Sequence, residues 1–165
     1  MEFDEFTRTG LRRLLQFTRV LTGDRGLAED IVQEVLIRLH ERRDRLGDID
    51  NLAAYARRMV VNEYVSWGRK WFRVRPTAVL QEPPPQPDHA DRHAEHDWLR
   101  GELAKLPRRQ RAVLVLRYYA GLTDAEIAVE LGCSEGTVRS HASRALGALR
   151  VEMTSAPSQP KESLA

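Results

Sequence analysis

The 165-residue chain has one cysteine, Cys133, and no proline before Pro76. A single cysteine excludes both an intramolecular disulfide framework and a multi-cysteine zinc site. No apolar run reaches the roughly 20 residues that cross a bilayer, and the acidic opening MEFDEFTRTG lacks the basic-then-apolar pattern of a secretory signal. We therefore expect a cytoplasmic protein with no direct membrane insertion, in which Cys133 is a packing residue rather than a redox switch.

Signatures of catalysis are also missing from the sequence. It contains no glycine-rich phosphate loop, no nucleophile elbow and no paired acid–base motif. We expect no enzymatic activity, no cofactor and no bound metal. An alternative zinc site is offered by three histidines at helical spacing, His89, His93 and His96. Since no cysteine lies nearby and a proline-rich stretch precedes them, we favour the frayed acidic start of a helix.

The prolines divide the chain into two parts. Five of the eight lie between Pro76 and Pro87, and because each removes a backbone donor, that stretch does not form a continuous helix. The segment around it is acidic, whereas the lobes on either side are slightly basic. We predict two small domains at residues 1–75 and 96–153, a flexible proline-rich linker at 76–95 and a disordered tail at 154–165.

Apolar residues of the first lobe recur at helical spacing. The clearest stripe follows a start signal at Gly23-Asp24 and consists of Leu27, Ala28, Ile31, Val32, Val35, Leu36 and Leu39. A second helix is predicted before this stripe, from Phe3 to Leu21, and a third after it, beginning near Asp50-Asn51. No alternating strand pattern occurs, so we predict an all-α protein whose first lobe is a helical bundle.

The second lobe contains the spacing of a helix-turn-helix. Thr123 and Glu126 form a capping box that fixes the start of one short helix. Gly132-Cys133-Ser134 supplies a tight turn, and a last helix follows with an apolar inner face. That inner face is predicted to consist of Val138, Ala142, Ala145, Leu146 and Leu149.

The outer face of this last helix is polar and basic enough to enter a major groove of DNA. Arginine reads guanine edges through two hydrogen bonds, and hydroxyls bind phosphates. A solvated face on an ordinary helical hairpin is the alternative, which we disfavour because the capping box, glycine turn and basic face coincide. The outer positions are Glu135, Thr137, Arg139, Ser140, Ser143 and Arg144.

Two further polar patterns have simpler explanations. In the stretch WGRKWFRVR, from Trp67 to Arg75, aromatic and basic residues alternate as in single-strand binding. From the residues alone we favour the end of a helix whose aromatics cap the core and whose cations are solvated. The face opposite the apolar stripe, with Glu29, Asp30 and Glu34, is typical of any solvated amphipathic helix.

Three segments together carry a resemblance to a known family. They read AEDIVQEVLIRLHERRDRL, AYARRMVVNEYVSWGRKW and LPRRQRAVLVLRYYAGLTDAEIAVELGCSEGTVRSHASRALGALR. The chain resembles bacterial RNA polymerase sigma factors of the extracytoplasmic-function type, and within them the actinobacterial SigE-like subgroup. The resemblance covers nearly the whole chain and includes both domains of the family in their usual order.

The resemblance implies partners and a role for each surface. Core RNA polymerase would be bound at its β′ clamp helices and β flap, and an anti-sigma factor would control the protein. Promoter DNA would be bound both double-stranded and melted. The family's polymerase-binding face corresponds here to Asp30, Gln33, Glu34 and Arg38.

The resemblance also implies two promoter-binding surfaces. The minus-ten element, with a base flipped out of the stack, would contact Asp48, Ile49, Asp50, Asn51, Arg58, Asn62, Trp67, Arg69 and Lys70. The minus-thirty-five element would contact Ser134, Glu135, Thr137, Arg139, Ser140, His141, Ser143 and Arg144. The sequence departs from many relatives at Ser66, where aspartate is frequent, and at His141, where arginine is frequent. His141 titrates near neutrality, so it offers a mild pH dependence of DNA binding, although a surface histidine without a role is the simpler interpretation.

Two alternatives to a sigma factor remain at this point. A free-standing LuxR-like helix-turn-helix regulator is suggested by TVRSHASRAL, but the first lobe lacks the length and the βα alternation of a receiver domain. A helical adaptor that binds protein and no DNA is the other, and it would tolerate alanine at Arg139 and Arg144.

Overall fold

The computed structural model describes the backbone of residues 3–74 and 93–155 and the side chains of residues 3–66 and 98–150. Throughout these residues the chain is helical, with turns between helices and no strand, which confirms the all-α prediction. The elements are α1 (Phe3–Thr9), α2 (Leu11–Thr22), α3 (Arg25–Glu41), a 3-10 helix (Arg43–Asp48), α4 (Leu52–Val74), α5 (His93–Ala104), α6 (Arg108–Leu114), a π-helical turn (Val115–Tyr119), α7 (Asp124–Leu131) and α8 (Glu135–Ser155).

Helices α1 to α4 form the first domain. The sequence predicts one helix from Phe3 to Leu21, but the structure has two, separated at Gly10. A Cβ at this glycine would lie 2.6 Å from the ring of Phe6, so the chain turns directly over that ring. Phe6, Leu21 and Leu39 are almost completely buried in the core of the domain.

The junction of α2 and α3 follows the predicted start signal. Gly23 ends α2 in the left-handed region, with φ of 67°, and its amide donates to the carbonyl of Arg19. Asp24 then caps α3, because its Oδ1 accepts from the amide of Leu27 at 3.1 Å. The predicted stripe faces inward, with Ile31 and Val35 fully buried.

The second domain begins with α5 and continues through α6 into the π-helical turn. In the sequence, Tyr118 continues the apolar spacing of Val113, Leu114 and Leu116, but its side chain is 65% exposed. The amide of Ala120 donates to the carbonyl of Val115 at 3.0 Å, and this wider turn rotates the following residues out of the helical register. Tyr118 and Tyr119 are therefore directed outward.

The helix-turn-helix is formed by α7 and α8, and its capping box is confirmed. The hydroxyl of Thr123 accepts from the amide of Glu126 at 3.2 Å, and the carboxylate of Glu126 accepts from the amide of Thr123 at 2.8 Å. Gly132 ends α7 with φ of 64°. Cys133 is half-buried against the core, as expected of a packing residue.

The two domains pack against each other. One continuous apolar cluster includes Val60 and Val61 of α4 together with Ala112 and Val113 of α6 and Ile127 of α7. A smaller cluster of the second domain is built on Leu106, Leu114 and Ala145. Helix α5 begins within the segment assigned to the linker at 76–95, and the rest of that linker, like most of the tail at 154–165, lies outside the described residues.

Candidate functional site

Helix α8 buries one face and exposes the other, as its pattern predicts. Val138, Ala142 and Ala145 are at most 2% exposed and hold the helix against the core. The opposite face is free of intramolecular packing over two turns. Its exposed members are Ser134, Glu135, Thr137, Arg139, Ser140, Ser143 and Arg144.

Two hydroxyls of this face are already engaged in forming the start of α8. The Oγ of Ser134 accepts from the amide of Thr137 at 3.1 Å, and the two hydroxyl oxygens are 2.9 Å apart. Ser134 is therefore an N-cap that fixes where the helix begins. Its contribution to binding is to place the following residues, while Ser140 and Ser143 are the more accessible hydroxyls.

The two arginines of the face differ in their surroundings. Arg139 lies 3.7 Å from the carboxylate of Glu135, one turn earlier, and both side chains are more than half exposed. An exposed pair of this kind contributes little to stability and separates readily when a stronger partner arrives. Arg144 is exposed one and a half turns further along the same face.

His141 is less accessible than the sequence suggests. Its Nδ1 is buried and has no hydrogen-bond partner among the described residues. Burial lowers the pKa of His141, and the nearby positive charges of Arg109 and Arg144 lower it further. At neutral pH the ring is therefore uncharged, which argues against an attraction to phosphate at that pH.

A polar face of α3 points to solvent on the first domain. Asp30, Gln33 and Glu34 are exposed, whereas Arg38 is only partly exposed. Arg38 donates to Glu34 at 3.1 Å and also to Glu63 of α4 at 3.1 Å. Arg38 therefore holds Glu34 in place and ties α3 to α4, in addition to any contact with a partner.

Ile37 belongs to this face and is absent from the sequence-based set. Its side chain is 54% exposed and lies one helical turn from both Gln33 and Glu34. The signal was present in the sequence, because position 37 falls outside the apolar stripe that buries α3. Ile37 therefore adds one exposed aliphatic side chain to an otherwise polar face.

Helix α4 presents a second polar face. Arg58 and Asn62 are both exposed and one turn apart. Asn62 also lines a shallow cavity of about 460 Å³ between α3 and α4. The other lining residues, most of them not singled out by the sequence, are Arg38, Arg42, Tyr55, Met59, Glu63 and Ser66.

The loop before α4 is not part of that cavity lining. Asp48 and Asp50 are exposed and Ile49 is half-buried. Asn51 is exposed too, but its Oδ1 accepts from the amide of Ala54 at 3.0 Å, so this oxygen caps α4. Three further predicted residues, Trp67, Arg69 and Lys70, lie on α4 beyond the described side chains.

Neither a cluster of metal ligands nor a membrane-spanning helix is present among the described residues. No group of three or more potential metal ligands occurs among the side chains that the structure describes. The alternative zinc site at His89, His93 and His96 lies outside those side chains. Across the described ranges, no helix combines the length and the apolar character needed to span a bilayer.

Two family matches cover both domains. Residues 7–71 match "Sigma-70 region 2", and residues 96–149 match "Sigma-70, region 4". The polar faces of α3 and α4 fall within the first match, and the helix-turn-helix falls within the second.

Individual relatives extend over most of the chain. It is 36% identical over 154 residues to an RNA polymerase sigma-E factor of Streptomyces coelicolor, covering 93% of this chain and 86% of the relative. It is 34% identical over 148 residues to the ECF RNA polymerase sigma factor SigL of Mycobacterium tuberculosis, covering 85% and 82%.

Among solved structures, the sigma factor RpoE of Bartonella quintana, in complex with the anti-sigma factor NepR, superposes with a TM-score of 0.65. This comparison has 25% identity and covers 92% of this chain and 95% of that one. CnrH, in complex with the cytosolic domain of CnrY, gives a TM-score of 0.62 at 22% identity over 93% and 88% of the chains, which supports the shared fold.

Proposed function

Because the chain belongs to the sigma-70 family of RNA polymerase sigma factors and is an alternative sigma factor of the extracytoplasmic-function type, we propose which of its surfaces bind core polymerase and which bind promoter DNA. Sigma factors of this family bind core RNA polymerase and direct it to promoters. They are initiation factors rather than enzymes. We propose that this chain has no catalytic activity of its own and acts in the cytoplasm.

The exposed face of α8 is proposed to bind the minus-thirty-five element in the major groove. The observation that carries this proposal is the fixed orientation of that face, since Ser134 and Gly132 set the start of α8 and three buried residues hold its back. Arg139 and Arg144 are the proposed readers of guanine or phosphate. Glu135 and Thr137 orient the first turn, whereas Ser140 and Ser143 bind backbone phosphates.

The polar face of α4 and the preceding loop are proposed to bind the melted minus-ten element. Arg58 contacts phosphates of the separated strand, and Asn62 stands at the cavity that would accept an extruded base. Trp67, Arg69 and Lys70 are proposed to continue the same surface along α4. The amide nitrogen of Asn51, together with Asp48, Ile49 and Asp50, supplies the rim of this surface.

The exposed face of α3 is proposed to dock on the β′ clamp helices of core polymerase. Asp30, Gln33 and Glu34 give it polar contacts, Ile37 gives it an apolar centre, and Arg38 keeps Glu34 oriented. The β flap is proposed as a second polymerase contact, made by the second domain. The relative of known structure was crystallised with an anti-sigma factor, and we propose that a partner of this kind controls the present chain too.

Run-off transcription with purified core polymerase on a library of genomic DNA fragments tests the assignment. We expect new start sites that share two spaced upstream elements, and we expect their transcripts to fall at least tenfold for Asp30→Ala and for Arg139→Ala. Arg12→Ala is the matched control, because Arg12 is an exposed arginine of α2 outside every proposed contact.

The results test the polymerase-binding surface and distinguish a sigma factor from a free-standing regulator. Loss of transcription in Asp30→Ala with unchanged core binding would contradict the polymerase-docking role. Binding to duplex DNA without any core-dependent start site would favour a free-standing helix-turn-helix regulator instead.

A further inference from the structure

A cavity of about 400 Å³ lies where α1, α2 and α4 meet the π-helical turn. The aromatic rings among its described lining residues are those of Phe6, Phe17 and Tyr119. Pockets that bind small molecules enclose roughly 300–1,000 Å³ and are lined mainly by apolar and aromatic side chains. This cavity has both properties, and the described residues that line it lie outside the surfaces proposed for polymerase and DNA.

The aromatic walls of the cavity lie at different depths. Phe6 and Phe17 are buried, at 1% and 6% exposure, and form its inner wall. Tyr119 is 54% exposed, and the centre of its ring lies 6.3 Å from that of Phe17 at an interplanar angle of 40°. Rings tilted in this way offer their remaining faces and edges to a further ring. An aromatic group is therefore the apolar ligand that best matches these walls.

Both charged side chains in the described lining are arginines. Arg13 of α2 is exposed and has no hydrogen-bond or ion-pair partner among the residues that the structure describes. Arg57 of α4 donates through Nε to Oε1 of Glu130 at 2.9 Å and through Nη2 to the same oxygen, which leaves its Nη1 without a partner in the same described ranges. Since Glu130 neutralises Arg57, Arg13 gives the cavity a net positive charge. Such a site favours a carboxylate, which accepts hydrogen bonds from guanidinium groups.

The walls of the cavity are held by contacts outside it. The Arg57–Glu130 ion pair joins α4 to α7, and the side chain of Glu130 is only 9% exposed. Arg111 of α6 is 2% exposed and donates at 3.1 Å to the carbonyl of Val20, in the last turn of α2, where carbonyls have no partner within the helix. Because these contacts exist before any ligand arrives, binding requires little further ordering of the protein.

We propose that this cavity binds an aromatic carboxylate. The ring system of the ligand enters between Phe6, Phe17 and Tyr119, for which a volume of about 400 Å³ is sufficient. Its carboxylate accepts hydrogen bonds from Arg13 and from Nη1 of Arg57. This is a ligand-binding function in addition to the proposed function, and it is measured on the free chain without polymerase or DNA.

Binding of 2-naphthoate to the full chain, followed through the backbone amide resonances of nitrogen-15-labelled protein, tests the proposal. We expect saturable shifts that are largest for Gly10, Ala53 and Ala120, which line the cavity. The neutral analogue 2-naphthamide has the same rings without the charge. We expect it to bind at least tenfold more weakly, because it lacks the charge-assisted hydrogen bonds to guanidinium. Absence of saturable shifts with 2-naphthoate, or equal affinities for the two compounds, would overturn the proposal.

Replacing Arg13 tests the charge of the site. Arg13→Gln should weaken the binding of 2-naphthoate at least tenfold and leave that of 2-naphthamide unchanged. Arg12→Gln is the matched control, because Arg12 is an exposed arginine of the same helix outside the lining. Arg57 is kept in both variants, since its removal would leave Glu130 buried without its ion-pair partner. Equal affinities of Arg13→Gln and the unaltered chain for 2-naphthoate would contradict the assignment.

A cavity-filling variant tests the location of the site. Ala53 is an exposed lining residue in the first turn of α4, so Ala53→Phe adds a ring at the cavity without entering the core. We expect Ala53→Phe to abolish the saturable shifts, whereas Ala104→Phe, at an exposed position of α5, should retain them. Thermal unfolding checks that both variants are folded, and the Arg13 and Arg12 variants decide the matter if Ala53→Phe is not. Undiminished binding by folded Ala53→Phe would overturn the proposal.

Discussion

The guanidinium of Arg111 occupies the space in which a side chain at position 23 would begin. A Cβ at Gly23 would lie 2.6 Å from Nη2 of Arg111, although the two residues belong to different domains. Gly23 also has φ of 67°, which disfavours any other residue. The glycine that ends α2 therefore serves both its own helix and the contact between the domains.

Gly23→Ala is expected to destabilise the protein by more than its backbone strain alone. The left-handed conformation costs about 1–2 kcal/mol, and the displaced Arg111 loses its bond to Val20 in addition. Gly121→Ala is the matched control, because Gly121 has φ of 70° with no atom within 4 Å of the added Cβ. Urea unfolding of both variants measures the difference, and equal losses of stability would contradict the steric role.

Thr123→Ala removes the capping box at the start of α7. We expect the free energy of unfolding to fall by about 1 kcal/mol. The amide of Glu126 loses the hydroxyl that accepts its hydrogen bond, and the amide of residue 123 loses the geometry that directs it to the Glu126 carboxylate. Thermal unfolding followed by circular dichroism checks this. Thr9→Ala, which removes an exposed threonine at the end of α1, should change the stability by less than half as much.

Ile37→Ser is expected to weaken binding to core polymerase several-fold while leaving the fold intact. Its side chain is 54% exposed, so little packing is lost. Val129→Ser is the control, because Val129 is 63% exposed on α7, away from the α3 face. Fluorescence anisotropy measures the affinity for core polymerase, and unfolding curves show whether the fold is intact. Equal affinities for wild type, Ile37→Ser and Val129→Ser would remove Ile37 from the interface.

His141 gives the protein a pH dependence of stability. Burial lowers the pKa of His141 in the folded chain, so as the pH falls below about 6.5 the unfolded chain takes up the proton first. The stability that uncharged His141 contributes at higher pH is therefore lost as the pH falls from about 6.5 through the lower pKa of the folded chain. Unfolding of wild type and His141→Gln between pH 7.5 and 5 should show a smaller loss for the variant, and parallel curves would contradict this.

The sequence predicted those local features that are defined by residues close together in the chain. The capping box at Thr123, the start of α3 at Asp24 and the buried stripe through Ile31 each depend on residues close in the chain, so pattern alone defined them. The π-helical turn was missed because Tyr118 continues an apolar pattern, and only the wider hydrogen bonding of the folded chain rotates it outward.

In the candidate site, too, some features were predictable from local pattern and others depended on the folded chain. Exposure of Arg139 and Asp30 follows from helical periodicity, and both were predicted. The amide of Ala54 donates to Oδ1 of Asn51, a local cap that agrees with the predicted helix start near Asp50-Asn51. The bond from Arg38 to Glu63 joins residues 25 positions apart, depends on how the chain folds back and was not predicted. Contacts between residues 73 and 91 positions apart, such as Arg57 with Glu130 and Arg111 with Val20, leave no periodic trace in a sequence.

The bond from Arg111 to Val20 uses a main-chain carbonyl, which every amino acid presents. Position 20 is therefore free to diverge in sequence without losing this contact, whereas position 23 is restricted to glycine. A second domain transplanted onto the first domain of a relative would keep this contact wherever α2 ends in the same glycine. For this one contact, compatibility in such chimaeras depends on the residue type at a single helix end.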